Sequence, residues 1–166
     1  PADHALAWML DRLEPAGDGL AFTESSTAKL GAGALLAVAL AQRRLATGDP
    51  QHDATMRALG RFIVGQQRPD GSMLELYDID AQAVVPGATS VFATGEALWA
   101  LALLQEAFPD ERFEAPAWRT LDYLALERDL EEGFLPQPWP DQWAAYALGE
   151  MAEWGLEDHH ITYARR

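Results

Sequence analysis

The sequence contains no cysteine. That absence excludes disulfides, thiolate nucleophiles and Cys-ligated zinc, and it leaves extracytoplasmic and cytoplasmic locations equally open. Basic residues are scarce: 12 Lys and Arg stand against 26 Asp and Glu, a formal net charge of −14. A surface of that sign repels phosphate backbones and anionic lipid, so no nucleic acid and no membrane partner is expected. Long apolar runs are missing too. The longest, Gly31 to Ala41, falls short of the roughly 20 residues a bilayer requires. No glycine-rich phosphate loop and no Ser/His/Asp nucleophile motif is present. His4 and His52 lack metal-ligand spacing with the other histidines, and the adjacent pair His159-His160 is expected to point to different faces of a helix. No metal and no cofactor is therefore expected.

What remains is the composition of a globular protein, 49% hydrophobic and 23% charged. The length of 166 residues suits a single domain over 1–166. The chain opens at Pro1 without methionine and closes inside a helix that starts near Asp158, so a fragment truncated at both ends is expected. An internal repeat organises it. The segment Gly33 to Gln42 resembles Glu96 to Gln105, and Leu59 through Gly71 resembles Leu121 through Gly133, both at a period of about sixty residues. A weaker third copy begins at Ala144, and a partial one ends at Asp18-Gly19.

Each unit holds two kinds of helix. Gly31 to Ala41 is apolar all round and should be buried. Met56, Leu59, Phe62 and Ile63 instead form one stripe among Arg57, Arg61 and Gln66, which predicts a half-exposed helix. Trp118, Leu121, Leu124 and Ala125 repeat that stripe. Gly48 suits a helix C-terminus, and Asp49-Pro50 suits the next N-terminus, as does Ala115-Pro116. The predicted helices are 3–13, 28–47, 51–67, 94–107, 117–128, 141–154 and 158–166, with no strand. The long connection Met73 to Ala93 carries Tyr77, Val84, Val85, Val91 and Phe92, too apolar for a simple link. It is expected to pack over one face of the helices.

Alternating buried and half-exposed helices, each outer one followed by an Asp/Glu-Gly turn, resemble the α/α-toroid proteins. Gln67-Arg68-Pro69-Asp70-Gly71-Ser72 resembles a repeat motif of terpenoid cyclases and prenyltransferases. Asp78-Ile79-Asp80-Ala81 resembles the proton-donating motif of class II cyclases, with Ala81 where the fourth acid stands. A longer stretch, about Lys29 to Tyr163, resembles bacterial six-hairpin glycosidase-like proteins. It does so through Gln66-Gln67, Asp70-Gly71-Ser72, Tyr77-Asp78, Gly95-Glu96-Ala97-Leu98, Asp110-Glu111-Arg112-Phe113, Arg128-Asp129 and Asp141-Gln142-Trp143. The resemblance implies an all-α fold of repeated helical hairpins, a partial (α/α) toroid of about half a six-hairpin barrel. Further sequence or a second copy of the chain would complete the ring. It also implies carbohydrate processing or binding: hydrolase, lyase or epimerase. The alternatives are a non-catalytic helical scaffold for a protein or glycan and, more remotely, an isoprenoid enzyme.

The buried helices should start on the long-loop side, and polar residues cluster at those starts. Sugar chemistry uses paired carboxyls, and aromatic faces that stack on sugar rings. Glu96 and Asp141 are the candidate catalytic pair, with Lys29 as a cation that would hold one acid ionised. Glu24, Trp139, Trp143, Tyr146 and Tyr77 are the candidate substrate contacts. Each has a structural reading beside it. Asp141 after Pro140 suits a helix N-cap, and Glu96 after Thr94 suits a first-turn acid. Trp99 among leucines reads as core, Asp70-Gly71 as turn chemistry, and Asp78 and Asp80 as surface acids.

Overall fold

The structure, a computed structural model, describes residues 2–166, and the fold is mostly helical. Helices α1 (Ala2–Leu10), α2 (Leu30–Thr47), α3 (Asp53–Gly65) and α4 (Ala93–Ala107) form the first half. Helices α5 (Glu114–Leu126), α6 (Arg128–Glu131), α7 (Gln142–Glu150) and α8 (Asp158–Ala164) form the second. The apolar helices make a continuous row, with α2 along α4 and α4 along α7. The striped helices make a second layer, in which α3 lies on α2 and α4, α5 on α4, and α8 on α5. None of the described helices is long and apolar enough to cross a membrane.

The sequence dictates the row directly. On α2, Leu30, Ala34, Leu36, Ala37, Leu40 and Ala41 are all but inaccessible. Only Ala32, Leu35 and Ala39 of that stretch reach solvent, and their spacing puts them on one stripe. So the run is buried on most faces and open on one. Gly48 ends the helix in the left-handed conformation (φ 74°), its N–H donating to the Arg44 carbonyl. Asp49 accepts from the Gln51 amide ahead of Pro50, as an N-cap should. In the second layer, Met56, Leu59, Phe62 and Ile63 are buried while Arg61 faces out.

The expectation of a strand-free chain is corrected. Strands β1 (Leu13–Ala16) and β2 (Gly19–Phe22) form an antiparallel hairpin that turns at Gly17 and Asp18. Strands β3 (Thr27–Lys29), β4 (Leu76–Asp78) and β5 (Ala83–Val84) form a second small sheet in that order. Segments of two to four residues are too short for alternation to register, and Pro15 inside β1 obscured it further. Asp18-Gly19 is thus a hairpin turn and no repeat turn, and β2 crosses α3 so closely that Gly19 has only the Ala58 and Phe62 backbone beyond it. The long connection does pack, as a sheet. Gln82 clasps it to the hairpin: its amide nitrogen donates to the carbonyls of Pro15 (3.0 Å) and Ile79 (2.8 Å). Gln66, expected on a wet face, is buried and donates to the Leu74 carbonyl at 3.0 Å.

The turn after α3 follows the predicted chemistry. Asp70 Oδ1 accepts from the Ser72 amide (2.9 Å) and hydroxyl (2.7 Å). Gly71 has φ +92° and lies against the Arg119 carbonyl of α5, so a Cβ there meets both strain and backbone. Gly71→Ala should therefore destabilise the fold by about 2 kcal/mol or more. A urea titration checks this: the midpoint should fall while the slope stays unchanged.

Candidate functional site

The first turns of α4 and α7 bring the two candidate acids together. Each acid lies over a glycine of the preceding helix in the row. The Glu96 carboxylate occupies the space that a side chain at Gly31 would need, and the Asp141 carboxylate does the same at Gly95. Small residues in the row let the helix ends approach this closely.

The two carboxylates then diverge. Asp141 is the N-cap of α7, where Oδ1 accepts from the amides of Trp143 and Ala144, both at 3.1 Å. Its Oδ2 meets Arg128 Nη1 at 2.7 Å, and both side chains are inaccessible to solvent, at 0% and 1%. Arg128 also donates to the Trp139 carbonyl (2.9 Å) and to the Tyr163 hydroxyl (3.3 Å). Burial pushes that phenol up to about 12. The geometry fits the N-cap reading of Asp141. The cation beside it is Arg128, one of the resemblance landmarks, and Lys29 does not take that part. Lys29 is exposed at the start of α2.

Glu96 is half-buried, and its carboxyl is raised above the ordinary glutamate range. Burial is the main cause, followed by the charges of Asp141 and Glu75. Glu75 was not singled out by sequence reasoning. It sits in the connection before β4, where its carbonyl accepts from the Leu30 amide at 2.7 Å and so joins that loop to the start of α2. Its only sequence signal was membership of a loop expected to pack on the helix starts.

From Ala93 to Leu104 every residue of α4 is buried except Glu96 and Trp99. These are three apart, so they share the open face of the row. Trp99 stacks on Trp143 (centroids 5.8 Å, 24°) and tilts against Tyr146 (5.0 Å). Its indole N–H points to Glu150 Oε1 at 3.4 Å. Trp99 is thus a core-edge residue with one face in an aromatic platform. Tyr146 is exposed and Trp143 partly so.

The other candidates lie away from Glu96. Trp139 packs edge-on to Phe92 and borders a hollow of about 270 Å³ with Asp141, Leu148, Tyr163 and Arg166, a hollow that includes one candidate acid and not Glu96. Tyr77 is buried in β4, edge-on to Phe62 at 5.8 Å, which puts it in the core beneath the small sheets. Glu24 is exposed in the turn between β2 and β3, beside Asp11, Arg12 and Asp80. Asp78 Oδ1 accepts from the Ala81 amide at 2.8 Å, which makes it a turn former between β4 and β5.

One expectation is overturned outright. His159 and His160 do not diverge: their Nε2 atoms meet the same oxygen, Asp122 Oδ1, at 3.2 and 2.8 Å. Consecutive residues in a first helical turn differ by about 100°. Two imidazoles leaning toward one carboxylate close that gap, with ring centroids 3.8 Å apart. Compared with known proteins, the chain matches no family profile and no curated sequence.

Two predictions follow from the acids. Removing Arg128 leaves a buried carboxylate without its cation, so Arg128→Met should cost about 3–5 kcal/mol. Chemical denaturation measures this, and Asp141→Asn added to it should cost much less than in the wild type. For Glu96 the sign runs the other way. A folded-state value above the unfolded one penalises the native state once pH rises past the ordinary glutamate range. Glu96→Gln should therefore be more stable than wild type at neutral pH. The gap should close as pH falls below about 4.3, where the carboxyl is protonated in both states.

Proposed function

We propose that the open face of the α2–α4–α7 row is a saccharide site, and that the domain processes or binds carbohydrate as part of an α/α ring of the six-hairpin type. The observation that carries this reading is the pairing of Glu96 with Trp99 as the two unburied positions in the first three turns of α4. A carboxyl raised above the ordinary glutamate range stands one turn from a three-ring aromatic platform. Sugars need such a combination: flat apolar faces for the C–H surface of the ring, and a positioned acid for the glycosidic oxygen or a ring carbon.

Glu96 is the proton donor on this reading, because burial and the neighbouring Glu75 and Asp141 charges favour its protonated form. Glu75 takes the place of the second carboxyl. Asp141 fixes the frame, since its lone pairs are already engaged by Arg128 and two amides. Hydrolysis, elimination and epimerisation all use an acid so placed.

A non-catalytic scaffold is the second reading, and the capping role of Asp141 favours it. The two differ in turnover. Wild-type protein should show a saturable thermal shift with one or more members of an oligosaccharide and uronate panel. Trp99→Ala should abolish that shift while leaving the circular dichroism spectrum unchanged. Glu96→Gln should keep binding and lose product formation. Absence of any sugar-dependent shift, or a shift indifferent to Trp99→Ala, rejects the saccharide site. A shift without turnover in wild type selects the scaffold.

A further inference from the structure

We propose that Asp122, His159 and His160 form a binding site for a single Zn²⁺-class divalent ion that clips α8 onto α5. The site is independent of the saccharide face. Asp122 lies on the outer helix α5, and both histidines lie in the first turn of α8. One ligand atom from each residue falls within 4.8 Å of the others. A tetrahedral Zn²⁺ with bonds of about 2.0–2.1 Å holds its ligand atoms about 3.3 Å apart. The two histidine nitrogens stand 3.2 and 2.8 Å from Asp122 Oδ1, already close to that spacing. The donors are two imidazoles and a carboxylate, a set that suits zinc, cobalt or nickel and leaves a fourth position for water.

The surroundings support a built site. Glu157 Oε2 stands 3.6 Å from His159 Nδ1, too far to bond it here and near enough to close on that nitrogen once Nε2 holds an ion. His160 is buried, with Trp118 against its ring at 5.4 Å. Asp122 is about half exposed and His159 nearly a third, which gives an ion a route in.

His160 also defines what binding must change. Its Nδ1 accepts from the Glu157 amide at 3.1 Å, so its proton sits on Nε2, facing Asp122. An ion at Nε2 takes the place of that proton, which moves to Nδ1, and the Glu157 amide loses its acceptor. One proton is thus relocated, or released where the imidazole was charged, so protons compete with the ion and affinity falls with falling pH.

The test uses the full chain. Zn²⁺ is titrated calorimetrically after chelator treatment, and Co²⁺ is followed by visible absorption. One ion per chain should bind saturably at micromolar concentration. It should raise the melting temperature and give the intense d–d bands of four-coordinate cobalt. Asp122→Asn and His159→Asn, both at partly exposed positions, should each weaken binding at least tenfold, while His52→Asn should leave it unchanged. The Glu157 amide resonance should shift on binding in wild type and in His52→Asn, and not in Asp122→Asn or His159→Asn at the same ion concentration. Absence of saturable one-to-one binding, or binding unaffected by Asp122→Asn and His159→Asn, overturns the proposal.

Discussion

Close approach within the row of α2, α4 and α7 is the constraint from which the other features descend. The row is rich in alanine, and at two points a glycine leaves the space in which a carboxylate of the next helix start lies. Gly31 lies under Glu96, and Gly95 lies under Asp141. A Cβ at Gly31 would meet the end of the Glu96 side chain and turn that carboxylate aside, and one at Gly95 would meet the Asp141 carboxylate, which Arg128 and two amides hold in place. The packing thereby draws two carboxylates into a region that water reaches poorly, although neither acid is a core residue by composition. Burying charge this way carries a large desolvation penalty unless each ion is compensated. The chain answers the two cases differently.

Asp141 is compensated in full. Arg128 supplies a charged hydrogen bond, two amides of α7 supply neutral ones, and the positive end of that helix adds to both. Such a carboxylate has little left to offer a substrate. Glu96 is half-buried beside the negative charges of Asp141 and Glu75, and no cation offsets them. Its proton is held more tightly for that reason. Two acids at equivalent helix starts thus separate into a frame member and a chemically primed group, decided by where one arginine falls. Environment, and not residue type, sorts them.

The helical row was legible because its signal is compositional and long. Eleven consecutive apolar residues and a stripe at Met56, Leu59, Phe62 and Ile63 admit few other readings. The strands were not legible, because pairings such as Tyr77 with Val84 depend on partners fixed by the tertiary fold and span two or three residues. Glu96 and Asp141 could be found as acids at helix starts. What could not be found was the sorting between them. Arg128 lies thirteen positions before Asp141 and reaches it only after α6 and the loop that follows have folded back. His159 and His160 show the same limit. An angular argument about a helix treats side chains as spokes, and these are long enough to bend toward a common carboxylate.

The distribution of charge bears on the substrate class as well. Glu75, Glu96 and Glu150 lie on or beside the open face, and Glu106, Glu114, Glu150 and Glu153 ring a hollow of about 530 Å³ at the far end of α4 and α7. Arg128, the cation paired with Asp141, is buried and already engaged. An anionic sugar approaching this face meets mostly negative charge, with Lys29 at the start of α2 as the exposed exception, and each carboxylate it passes adds to the repulsion. A neutral ring meets no such barrier and gains the platform of Trp99, Trp143 and Tyr146. On the proposed reading the field therefore favours uncharged saccharides over uronates, through the same neighbouring carboxylates that raise the Glu96 carboxyl.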